Sequence, residues 1–282
     1  GRYRLWYETA GQEHLDHDKY RMGSFDYIRY AESEDGETWQ HPSLGLLERN
    51  GTKQNNVVYG VPLIDNTGLH GATVFKDPSA PPEERYKMFH TGQMGGEMKE
   101  RYLRERPNEL CAQSHTGGDK LEGFFGAVSP DGLSWTPLED ALISQVSDTH
   151  NVCEYDPVLG QYVAYCRSHY LMRRSIGRLA SPDFRRFPLS EEVFWPNGTN
   201  EPYDLWYGNA KTIMPGTTDY HIMFPLRWRL IDDSFAFLLA ASPDNVVWSP
   251  VPGGPVCRPG NPGEIDYGTV AAGVGLVNLP GD

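Results

Sequence analysis

Cysteine is scarce in this chain, four residues in 282. Cys111, Cys153, Cys166 and Cys257 show none of the short paired spacings that hold zinc or an iron–sulfur cluster. Cys153 and Cys166 fall on adjacent predicted strands, where buried free thiols are the commoner outcome. Long apolar runs are missing as well. No segment nears the roughly twenty residues a membrane-crossing helix needs, which excludes a membrane partner of that kind. Basic charge is short: 25 Lys and Arg against 38 Asp and Glu give a net charge of −13. Nucleic-acid binders neutralise phosphates with Lys and Arg, so a nucleic-acid partner is excluded. A heavily sulfated or uronic polysaccharide fits only a locally basic cleft.

Turn formers are plentiful, with Gly 30 and Pro 22, as in a turn-rich all-β protein. Four copies of one pattern punctuate the chain: Ser, any residue, Asp, and an aromatic six residues after the Ser. They are Ser33-Glu34-Asp35-Gly36 to Trp39, Ser129-Pro130-Asp131-Gly132 to Trp135, Ser181-Pro182-Asp183-Phe184 to Phe187, and Ser242-Pro243-Asp244-Asn245 to Trp248. A motif recurring at fixed offset marks a repeat architecture. Upstream of each copy lies a short strand opening on Tyr: Tyr3, Tyr86, Tyr162 and Tyr220. Another apolar strand precedes three of these, closed by a Pro-containing turn at Asp77-Pro78, Asp156-Pro157 or Pro215-Gly216. A third strand runs into the Ser-x-Asp turn, and the aromatic begins a fourth.

Each unit therefore reads as a four-stranded antiparallel meander, and repeated meanders with a periodic aromatic read as a β-propeller. The expected fold is all-β, a single propeller domain over residues 1–282. Its approximate blades are 1–61, 62–140, 141–198, 199–258 and a partial 259–282. The chain opens on a second strand and closes on an isolated first strand, Ile265–Val270. That arrangement predicts five blades with the first and last incomplete; the alternative joins the two ends into one composite blade and gives four.

The Ser-Pro-Asp-Gly-Leu-Ser-Trp stretch at 129–135, the Lys76-Asp77-Pro78 step with Arg85-Tyr86-Lys87-Met88 after it, and the blade start Asp148-Thr149-His150-Asn151 together resemble the five-bladed propeller glycosidases, the group holding glycoside hydrolase families 32, 43, 68 and 117. The resemblance implies a glycosidase that is secreted or periplasmic and takes a poly- or oligosaccharide. It also implies catalytic carboxylates on the first, innermost strands of different blades, facing a central funnel. No cofactor is required, although an axial structural cation such as calcium would find oxygen ligands. The chain departs from the family pattern in three places. Asp77 aligns with Asp156 and reads as a turn residue. Cys153-Glu154 reverses the acid motif. The first inner strand of blade one is absent.

The inner-strand starts supply the candidates. Asp148 and His150 share one strand face, where His150 would tune or relay a proton; a capping Asp is the structural alternative. Asp204 precedes Trp206 and Tyr207, an acid beside aromatics as a sugar subsite needs. Glu264 and Asp266 share a face of the final strand, as an acid and its partner or as cation ligands. Asp148, Asp204 and Glu264 are the expected catalytic carboxylates, since glycoside cleavage needs a proton donor and a base or nucleophile. His70, His150, Trp206, Tyr207, Arg227 and Asp266 are the expected substrate contacts. Arg227 would grip an anionic ligand group, and Arg167 reads as structural. The long 93–121 insertion reads as a lid, a subsite wall or a surface loop. A glycan phosphorylase of the same fold and a non-catalytic carbohydrate-binding propeller are the rival functions.

Overall fold

The computed structural model describes residues 2–10, 25–49, 51–60, 63–64, 68–148, 150–195 and 204–277. These form two compact units: Gly1–Gln145 with Phe184–Phe187, and Val146–Asp183 with Pro188–Val277. Each unit carries two antiparallel sheets of propeller-blade type.

In the first unit, β1 (Tyr3–Ala10), β2 (Phe25–Ser33) and β3 (Val57–Gly60) make a three-stranded sheet in that order. The next sheet runs β4 (His70–Lys76), β5 (Tyr86–Gly95), β6 (Lys120–Ser129) and β7 (Thr136–Pro137). Their facing side chains share one core: Ile28, Tyr30, Val58 and Tyr59 against Leu69, Met88, Ala127 and Trp135. Full burial of a side chain of this size contributes about 2–3 kcal/mol. The 93–121 insertion holds a helix, α1 (Gly96–Glu105), that the sequence pattern did not announce. Tyr102, its one buried residue, packs with Met94, Leu121, Phe125 and Ala141. Arg106 then ties the helix end to the carbonyls of Ala141 (3.0 Å), Leu142 (2.9 Å) and Phe187 (3.3 Å).

In the second unit, β8 (Val152–Asp156), β9 (Gln161–Tyr170), β10 (Arg173–Ser181) and β11 (Glu191–Phe194) form one meander. The other comprises β12 (Asp204–Ile213), β13 (His221–Arg229), β15 (Ala240–Ser242) and β16 (Ser249–Pro250), with β14 (Ser234–Phe237) also paired to β13. Val163, Tyr165, Ile176 and Phe194 pack against Trp206, Met223, Leu238 and Trp248.

The recurring motif is a turn lock. In three copies the Ser hydroxyl donates to the Asp carboxylate (2.8 Å for Ser33–Asp35, 3.0 Å for Ser129–Asp131 and Ser242–Asp244). The same carboxylate oxygen accepts two backbone N–H groups further on, 2.7–2.9 Å away. Those amides hold Asp35 and Asp244 below the ordinary carboxylate range. The fourth motif position takes a left-handed backbone, φ 83° at Gly36, 79° at Gly132 and 59° at Asn245. Glycine and asparagine are the residues that tolerate it. Asp77 and Asp156 are turn residues as expected. The buried Asp77 carboxylate accepts from Ser79 N–H (2.9 Å), and that of Asp156 from Val158 N–H (2.9 Å) and Leu159 N–H (3.0 Å).

One expectation is corrected. Among the described residues the sheets number four, not five, and Ile265–Val270 is not a strand. Gly263 (φ 97°) and Gly268 (φ 89°) bend the backbone into turns there, and Ile265 is fully exposed. A β-branched run becomes a strand only when a neighbour pairs along it, and here the pairing is limited to an isolated bridge between Gly260 and Tyr267 and one hydrogen bond from Phe235 N–H to the Gly268 carbonyl.

Candidate functional site

Asp148 precedes β8, in a segment whose flanking residues are held in place. Ser147 donates to the Asn151 side chain (2.7 Å) and accepts the N–H of Arg167 (3.2 Å). The Asp148 side chain is 55% exposed and meets two guanidinium groups: Arg167 from β9 and, at 3.4 Å, Arg174 from β10. Arg174 lies over the rings of Tyr207 (4.9 Å) and Trp228 (5.5 Å). Phe235 completes the aromatic group, stacked on Trp228 at 5.4 Å and 11° and edge-on to Tyr207.

Asp204 opens β12 opposite Arg229 in register. Its carboxylate is recessed, 13% exposed, with Arg227 Nε 3.5 Å away. Arg173 donates to its backbone carbonyl. Arg174 thus touches both the Asp148 carboxylate and the Tyr207 ring, three residues along β12 from Asp204. His169 on β9 faces the same charges. Burial first, then Arg167 and Arg174, push its pKa down, favouring the neutral ring.

The structure therefore gathers Asp148, Asp204, Tyr207 and Arg227 into one neighbourhood. His150 lies beside it, half-buried, and its carbonyl accepts from the Asn209 amide (3.0 Å) when that amide is turned to satisfy both its partners. Trp206 points into the core, 4% exposed and edge-on to Phe194 at 4.5 Å. Glu264 and Asp266 are exposed on the turn segment after β16. Glu264 accepts the N–H of Asn261 (2.6 Å), and a Cβ on Gly260 would fall 2.2 Å from an Asp266 oxygen and 2.5 Å from a Glu264 oxygen. His70 belongs to the other unit, where its Nδ1 meets the Glu8 carboxylate at 2.8 Å and Gly71 N–H donates to the second Glu8 oxygen at 2.9 Å.

Sequence reasoning missed Glu8 and Arg174. Glu8 lies on an edge strand whose partner in space, His70, is 62 residues away. Arg174 follows a hairpin tip with no motif of its own. Among the described residues, no group of three His, Cys, Asp or Glu side chains is placed to hold a metal ion, and no helix is long and apolar enough to cross a membrane.

The first unit holds a cleft of about 600 Å³ lined by Tyr59, His90, Gln93, Met98, Lys120 and Phe125 among others. Part of its wall is the 93–121 insertion. At its floor His90 Nδ1 donates to the Thr91 carbonyl (2.8 Å), so Nε2 accepts from the Tyr59 hydroxyl (3.2 Å). Burial lowers the His90 pKa to about 4.

No family model matches the sequence, and no curated protein does. Solved structures do match. A family GH32 β-fructofuranosidase from Bombyx mori superposes with a TM-score of 0.54 at 12% identity, over 89% of this chain and 46% of that one. An N-acetylgalactosamine deacetylase from F. plautii, solved with a blood group B trisaccharide, gives 0.57 at 14% identity, over 91% of this chain and 66% of that one. An endo-1,4-β-xylanase from Bacteroides thetaiotaomicron gives 0.54 at 11% identity, over 92% and 74%. The chain spans about half the length of the first and about two thirds of the second. Identities this low speak for the fold alone: the chain is an all-β protein of propeller blades, a fold it shares with enzymes that process glycosides.

Proposed function

We propose that the protein processes glycosides, cleaving a glycosidic bond of a poly- or oligosaccharide at the Asp148–Asp204 neighbourhood. One observation carries this reading. Asp148, exposed, stands ahead of the first strand of one sheet, and Asp204, recessed, opens the first strand of the adjoining one; Arg174 contacts Asp148 and lies over the Tyr207 and Trp228 rings, and Arg227 lies beside Asp204. Aromatic faces suit the apolar faces of sugar rings, and carboxylates and guanidinium groups bond their hydroxyls. In hydrolysis one carboxyl protonates the leaving oxygen, and the other activates water or steadies the oxocarbenium-like centre. Asp148 reaches solvent and is the group that meets the leaving oxygen or the water; Asp204 is its partner. Glu264 is the third candidate, on the segment whose Gly268 carbonyl accepts from Phe235 N–H (3.0 Å).

Phosphorolysis is the second reading, favoured by the arginines Arg167, Arg174 and Arg227 with His150 close by. Guanidinium groups bind phosphate bidentately. Incubating the protein with a panel of neutral and acidic polysaccharides, with and without inorganic phosphate, separates the two. Hydrolysis gives new reducing ends in both cases. Phosphorolysis gives a sugar 1-phosphate and only with phosphate. No product in either case removes the enzyme reading in favour of a carbohydrate-binding role.

A further inference from the structure

Strand β9 ends on Tyr170, and β10 begins three residues later at Arg173, its register partner. The two residues between them, Leu171 (φ 48°) and Met172 (φ 65°), take a left-handed backbone that β-branched residues avoid. Tyr170 stays 44% exposed at this tip. Trp195, directly after β11, is 52% exposed, and the two rings lie 5.7 Å apart at 33°. Core aromatics of this unit are buried almost completely: Phe194, one residue before Trp195, is 6% exposed. Two large rings side by side and half in water form an apolar surface that folding leaves uncovered, the kind that marks a binding site.

Its place in the fold says what covers it. Arg173, the partner of Tyr170, donates to the Asp204 carbonyl, and the adjacent Arg174 contacts Asp148 and Tyr207. One short hairpin therefore joins the ring pair to the Asp148 carboxylate and to the backbone of Asp204. Tyr and Trp add a polar edge to an apolar face at little cost in rotamer entropy. That combination suits a pyranose or furanose ring, which has C–H faces and a hydroxyl rim.

We infer that Tyr170 and Trp195 form an outlying sugar-stacking platform, which holds a unit of a glycan chain already seated at Asp148 and Asp204. The inference rests on the glycoside-processing reading and adds a requirement for chain length. A disaccharide fills the neighbourhood of the carboxylates and leaves the platform bare. A hexasaccharide reaches it.

The test uses the whole chain and a panel of neutral and acidic oligosaccharides, each as disaccharide and as hexasaccharide, with binding read by titration calorimetry. Tyr170→Ala/Trp195→Ala is expected to weaken hexasaccharide binding about tenfold and leave the disaccharide unchanged. Tyr170→Phe/Trp195→Phe, which keeps the rings, holds wild-type affinity. Leu171→Ser/Met172→Ser on the same tip also holds it, and circular dichroism shows every variant folded. Wild-type hexasaccharide affinity in the double alanine variant overturns the platform and leaves the glycoside reading standing. Equal losses in the Leu171/Met172 variant also overturn it, because the effect would then belong to the hairpin and not to the rings. A wild-type protein that binds no member of the panel overturns the platform together with the reading it rests on.

Discussion

The Tyr165 phenol lies 2.8 Å from the backbone carbonyl of Asn245 and 2.7 Å from its side-chain oxygen, joining β9 of one sheet to the turn lock of the next. Trp248 Nε1 donates to the same phenol oxygen (3.1 Å), and Asn245 Nδ2 donates to Asp156 (2.8 Å). The other unit repeats the device with different atoms: Trp6 Nε1 donates to the Gly132 carbonyl at 2.7 Å. A second-strand aromatic reaching the next turn carbonyl is thus a blade-to-blade latch within each unit. Tyr165→Phe leaves the buried Trp248 N–H and the Asn245 oxygens without that partner. It is expected to lower unfolding stability by about 1–3 kcal/mol in urea titrations.

The Ser-x-Asp locks are structural, and their loss should show in stability and not in chemistry. Ser129→Ala removes the acceptor of Gly132 N–H (2.9 Å) and the donor to Asp131. A cost of about 1–2 kcal/mol is expected in denaturant melts, with glycan binding unchanged.

Burial keeps His90 neutral in the folded protein, with its pKa lowered from 6.5 to about 4. His221 is lowered to about 4 as well, by burial and then by Lys211. Between pH 6.5 and pH 4 the unfolded chain takes up protons that the folded protein refuses, so stability falls as pH falls through that window. Above pH 6.5 the contribution is complete. His90 alone accounts for about 3 kcal/mol of difference between pH 7 and pH 4. Denaturant titrations at the two pH values should show the difference shrinking by that amount in His90→Gln, even though the variant is less stable at pH 7.

Lys211 is buried beside Glu154, between β12 and β8, and burial lowers its pKa to about 7. Glu154→Gln removes the counter-charge of a lysine that burial already pushes toward the neutral amine, and is expected to cost about 1–3 kcal/mol. Replacing both residues by apolar ones of similar size, Lys211→Met with Glu154→Leu, is expected to recover most of the loss. Thermal melts of the three proteins decide it.

The blades were legible because their signals are local. A Ser, an Asp and an aromatic at fixed offsets specify a turn whatever lies elsewhere, and the Tyr-led strands are short aromatic and apolar runs that favour strand. Ile265–Val270 misled for the same reason: its residues suit a strand, but pairing is a tertiary property, and Gly263 and Gly268 turn the chain instead. Helix α1 was hidden because its apolar contact rests on Tyr102 with half-buried Met98 and Leu103, set among charged residues. At the site, the strand starts at Asp148 and Asp204 could be read from the repeat. Their arginine and aromatic partners could not, since Arg174 reaches Asp148 and Tyr207 only when separate strands align.

The central claim is that Asp148 and Asp204 carry the chemistry. The most direct measurement is turnover of the best glycan substrate by Asp148→Asn, Asp204→Asn and Glu264→Gln, with folding checked by circular dichroism. The account predicts losses of about 100-fold or more in both Asp variants. Full turnover in Asp148→Asn and Asp204→Asn would contradict it and move the chemistry to another part of the chain.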